Sequence, residues 1–113
     1  MSARPTYYLL SSLFILTLAA CSAYKSTTTA LTYSKDVSKI IDFNCAGCHN
    51  AERPAAGINL TTYENVKEQS INGKLIPAIQ HAEGVKSMPR KSPKLEDVYI
   101  QTIVNWVATG AAL

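Results

Sequence analysis

Cys45-Ala46-Gly47-Cys48-His49 limits what this chain can become more than any other stretch. Two thiols two residues apart can reach the two vinyl groups of one porphyrin, while the imidazole directly after the second turns under the ring to bind iron. This spacing is the attachment signature of c-type haem. Two other readings of a Cys-x-x-Cys pair stand beside it. A zinc site takes four ligands, usually in two well-separated pairs, and only His81 is left as a possible fourth. A thioredoxin-like redox pair needs a βαβ surround, and no alternating apolar run here suggests strands.

The N-terminus has the layout of a secretory signal. Met1 to Tyr8 carries Arg4 and no acid, Leu9 to Leu18 is largely apolar, and Leu18-Ala19-Ala20 supplies small residues before Cys21. The apolar run falls short of the roughly 20 residues a membrane span needs. Leu18-Ala19-Ala20-Cys21 also resembles the lipobox of bacterial lipoproteins, which implies cleavage before Cys21 and its acylation. The alternative is an ordinary signal peptide with Cys21 left as a thiol. On the first reading one cysteine goes to lipid and two to haem, so no disulfide is expected even in an oxidising compartment. Losing residues 1–20 removes Arg4 and leaves 10 Lys and Arg against 8 Asp and Glu. That excess is too small to point to nucleic acid. More than one acyl chain, each buried methylene adding about 0.8 kcal/mol, anchors a protein stably without crossing the bilayer.

Residues 21–33 read as the lipidated cysteine and a Ser-, Thr- and Ala-rich flexible tether. Residues 34–113 read as one small all-α domain of three to four helices around the haem. Ser34 is the expected N-cap of a first helix over 35–44, with Val37, Ile40 and Ile41 at helical spacing. Asn50 to Leu60 reads as a loop. Thr61 and Glu64 fit a capping box for a second helix reaching Ser70. Pro77 opens a short third helix to Ala82, and a loop follows over 84–93. The last helix is expected over 94–109, with Ile100, Ile103, Val104 and Val107 on its apolar face, Tyr99 and Trp106 flanking it, and Gly110 closing it. First and last helices should pack across each other.

His49 is the proximal iron ligand by its place after Cys48. Such an imidazole usually donates its other ring nitrogen to a carbonyl, and Pro54 is the candidate acceptor. Met88, the only methionine once the signal is removed, is the expected sixth ligand, because it stands in a loop stiffened by Pro89 and not in a periodic helix. The alternative is His81 and bis-histidine ligation. Arg53 or Arg90 are candidates to pair with the haem propionates. Lys86, Arg90, Lys91 and Lys94 gather near the methionine in sequence and offer either a rim for an acidic partner or plain solvation.

Residues 34–110 resemble a class I monohaem cytochrome c domain in three respects: Cys-x-x-Cys-His near the first helix, a later Met-Pro, and an amphipathic C-terminal helix. Gly57-Ile58-Asn59-Leu60 and Gly73-Lys74-Leu75 are similar to short bacterial domains of this class. The resemblance implies thioether attachment at Cys45 and Cys48 and axial ligation by His49 and Met88. Arg90-Lys91 departs from the small residues that follow Met-Pro in many relatives.

Histidine and methionine together leave no open iron position, so the expected role is one-electron transfer between a redox donor and acceptor, not enzymatic catalysis. A single haem motif argues against a two-haem peroxidase. The expected location is the bacterial cell envelope, on the periplasmic or outer-membrane side. Two alternatives stay open: a haem-based sensing or ligand-binding module in which Met88 leaves the iron, and a structural zinc lipoprotein.

Overall fold

A computed structural model describes residues 29–113. The expected signal segment, Cys21 and most of the tether lie outside the described residues. The described chain is all-helical, with α1 (Ser38–Asn44), α2 (Tyr63–Ile71), α3 (Leu75–Ile79) and α4 (Asp97–Ala108). None of these helices is long and apolar enough to cross a membrane.

The first helical segment starts earlier than Ser34 predicts. A π-helical turn, Tyr33–Val37, leads directly into α1, and Thr32 is its cap. Thr32 Oγ1 accepts the Lys35 N–H at 3.4 Å, while the Asp36 carboxylate reaches back to the Thr32 N–H at 2.7 Å. The reciprocal pair fixes the start at Thr32. Ser34 instead donates to the Leu113 carbonyl at 3.3 Å. Val37, Ile40 and Ile41 are buried as the periodicity predicts.

The second helix also starts one residue away from its expected cap. Asn59 Oδ1 accepts both the N–H and the hydroxyl of Thr61, at 2.9 and 2.8 Å, so Thr61 is held in an Asx turn. Thr62 caps α2 in its place, accepting the Asn65 N–H at 3.3 Å. Pro77 lies inside α3 and not at its start, still in the first turn, where its missing N–H leaves no bond unmade. The last helix begins at Asp97 instead of Lys94, because Glu96 is extended and Leu95 is drawn into the core.

Trp106, expected at the edge of α4, is fully buried with Ile100 and Ile103 beside it. The helix is covered by the π-helical turn, α2 and α3 together, so its apolar arc is wider than a single stripe. The first and last helical segments therefore meet through the π-helical turn. Tyr33 and Tyr63 pack on Trp106 with ring centroids 6.0 and 6.4 Å away. Their polar tips and neighbours converge on the C-terminal tail. Trp106 Nε1–H and the Tyr33 N–H both donate to the Ala112 carbonyl at 2.8 Å, and the Tyr63 hydroxyl donates to Ala111 at 2.9 Å. Leu31 and Tyr33 already pack on the core, so the folded unit takes in residues 31–33. Gly110 ends α4 as expected, in the left-handed conformation at φ 103°.

Candidate functional site

The end of α1 delivers the cysteine motif. The Cys45 N–H donates to Ile41 at 2.8 Å, and the N–H groups of Cys48 and His49 both donate to the Cys45 carbonyl, at 3.2 and 2.9 Å. One turn therefore presents both thiols and the imidazole. The following loop folds back on it: the Ala55 N–H donates to Cys48 at 3.0 Å, and the N–H of buried Leu60 donates to His49 at 2.8 Å.

That return path places the Ile58 carbonyl 3.0 Å from His49 Nδ1. A carbonyl can only accept, so Nδ1 carries the hydrogen and Nε2 of the neutral ring keeps its lone pair. This is the tautomer an iron-binding imidazole requires. The acceptor is Ile58 and not Pro54, whose carbonyl is taken by the Gly57 N–H at 2.9 Å in the 3₁₀ turn Ala55–Gly57. The Gly57 backbone, at φ 74°, turns the chain so that Ile58 is extended again.

Cys45 and Cys48 are both unbridged thiols. Cys48 is exposed, while Cys45 is half-buried against the core. Burial, and after it the carboxylate of Asp42, pushes the Cys45 thiol up to about 11. The position favours an uncharged sulfur. Among the described residues, no group of three His, Cys, Asp or Glu side chains stands where it could hold a metal ion.

Met88 is half-buried, and both of its backbone polar groups are engaged by one end of α3. Its N–H donates to the Ala78 carbonyl at 3.0 Å, and its carbonyl accepts from His81 Nε2 at 3.1 Å. The next residue, Pro89, lines an open cleft of about 350 Å³ together with Phe43, Asn44, Leu95 and Tyr99. The cleft runs between the end of α1 and residues 89–99, and Cys45, Cys48, His49 and Met88 are not among the residues that line it. Two of its lining side chains are exposed aromatics, Phe43 at 89 % and Tyr99 at 40 %.

Of the other expected positions, Arg53 and Arg90 are exposed, and the Arg53 N–H donates to Asn50 Oδ1 at 2.9 Å. Lys86, Lys91 and Lys94 are exposed as well, and Lys94 also lines the cleft and pairs with Asp97 at 3.7 Å. No family model, curated protein or solved structure matches the chain. The residues present suit a covalent haem on two counts: two unbridged thiols carried on one turn, and beside them an imidazole in the ligating tautomer.

Proposed function

We propose that this chain is a one-electron carrier of the bacterial cell envelope, a c-type cytochrome tethered by lipid on Cys21 and holding one haem c. Cys45 and Cys48 would carry the thioether links, with His49 and Met88 as the axial ligands. The observation that carries this reading is the bond from His49 Nδ1 to the Ile58 carbonyl, at 3.0 Å, because it leaves Nε2 as the ligating nitrogen. The bound group supplies reversible one-electron exchange. His49 supplies a fixed imidazole, Met88 supplies a thioether that raises the potential relative to a second imidazole, and the two together leave no position for a substrate. His81 serves the reading better as a hydrogen-bond donor than as a ligand, since its Nε2 is engaged by Met88.

The exposed charges of Lys86, Arg90 and Lys91 favour an acidic redox partner approaching from the methionine side. Such encounters are small and short-lived. The reading is tested by maturing the full chain in a secreting host and recording its absorption spectrum. The expected result is a covalently bound haem with a sharp ferrous spectrum, a weak far-red ferric band and slow, incomplete binding of carbon monoxide. A colourless product, or one that binds stoichiometric zinc, would overturn it, and rapid, tight carbon monoxide binding would favour a sensing module.

A further inference from the structure

We infer that His81 is a positioning residue for the sixth ligand: its ring clamps the Met88 backbone against the end of α3 and so sets how firmly the methionine sulfur is held. The inference rests on Met88 being an axial ligand. Two observations carry it. Met88 is gripped at both of its backbone polar groups, its N–H by the Ala78 carbonyl at 3.0 Å and its carbonyl by His81 Nε2 at 3.1 Å. Since a carbonyl only accepts, Nε2 of His81 must be the protonated nitrogen, a donor and not a ligand in this arrangement.

The second observation is where His81 stands. The α3 helix closes with the His81 N–H on Ala78 at 3.2 Å and the Ala82 N–H on Pro77 at 2.9 Å, and His81 itself is left-handed at φ 57°. This pairing is the Schellman stop, whose left-handed position is most often glycine. Helix α4 uses the same stop with Gly110 in that place, its N–H on Val107 at 3.1 Å and the Ala111 N–H on Trp106 at 2.8 Å. A residue other than the usual glycine thus occupies this helix end, and from it a ring reaches Met88. The backbone stop alone does not require an imidazole. The contact to the Met88 carbonyl does use one.

The haem-loaded full chain tests this, with imidazole as a probe that competes for the sixth position. His81→Asn tolerates the left-handed backbone but is too short to reach the carbonyl, whereas His81→Gln restores a donor at about the length of Nε2. Losing one hydrogen bond at an exposed site should tighten imidazole binding roughly three- to tenfold in His81→Asn. His81→Gln should return to within about twofold of the parent, as a donor of equivalent reach restores the net bond. The clamp is refuted if His81→Asn binds imidazole like the parent while Met88→Ala binds it far more tightly, and equally if Asn and Gln have the same effect. Should Met88→Ala itself leave imidazole binding unchanged, the ligand assignment fails, and the result is distinct from either failure of the clamp.

Discussion

The two sides of the candidate site are built in different ways. The histidine side is built almost wholly within 45–60: backbone bonds join the turn to its return loop and the His49 ring donates to the Ile58 carbonyl, with Ile41 of α1 accepting from Cys45 at its start. The methionine side borrows its support: Met88 is held by Ala78 and His81 from a separate helix, and its loop carries exposed Lys86, Arg90 and Lys91. A self-contained turn resists local change, while a borrowed grip can be loosened one bond at a time. In the proposed carrier, the side that would have to stay fixed is the rigid one, and the side that would face partners is the adjustable one.

Removing the rigid side has the largest effect. His49→Ala should abolish the six-coordinate spectrum and leave an exported product that is colourless or binds carbon monoxide readily, which absorption spectroscopy of the purified chain reads directly. On the adjustable side, Arg90→Glu with Lys91→Glu should slow electron delivery from an acidic partner by on the order of tenfold at low salt. The difference should shrink as ionic strength rises. Stopped-flow rates that are equal at low salt would remove the methionine side from docking.

Smaller changes sharpen the contrast. Gly57→Ala places a side chain at φ 74°, with open space around the new Cβ, so its cost is conformational, about 1 kcal/mol in a thermal or denaturant melt. Because Gly57 leads into Ile58, the same variant should also broaden the His49 ring environment in nuclear magnetic resonance spectra. The smallest effect lies away from both sides. Burial, then the carboxylates of Asp42 and Glu64, raise Tyr33 above its ordinary value of 10.0. The fold thus favours the neutral phenol, a contribution complete below pH 10 and lost as pH climbs through the raised value. Tyr33→Phe should flatten the alkaline decline in melting temperature and leave the surroundings of His49 and Met88 untouched.

The contrast also explains what could be read along the chain. The cysteine motif, the helical class, the buried face of the first helix and the Gly110 stop are local, and each follows from spacing within a few residues. The caps shifted because a neighbour competed. Asn59 Oδ1 accepted from Thr61, and Asp36 reached back to the Thr32 N–H, pairings that residue spacing alone does not select. Pro54 was a reasonable acceptor by position, but two left-handed residues, Ala56 and Gly57, fold the loop so that Ile58 arrives instead. The central place of Trp106 needed three elements to close over α4, and the grip of His81 on Met88 needed α3 to meet a loop seven residues away. Neither has a signature in local spacing.

The central claim is that one iron is held between His49 and Met88. Its most direct test is the reduction potential and far-red ferric absorption of the haem-loaded chain beside Met88→Ala. The account predicts that the variant loses the far-red band and falls in potential by on the order of 0.1 V, within the roughly 0.8 V that axial ligands command. A variant with the parent's band and the parent's potential would contradict it.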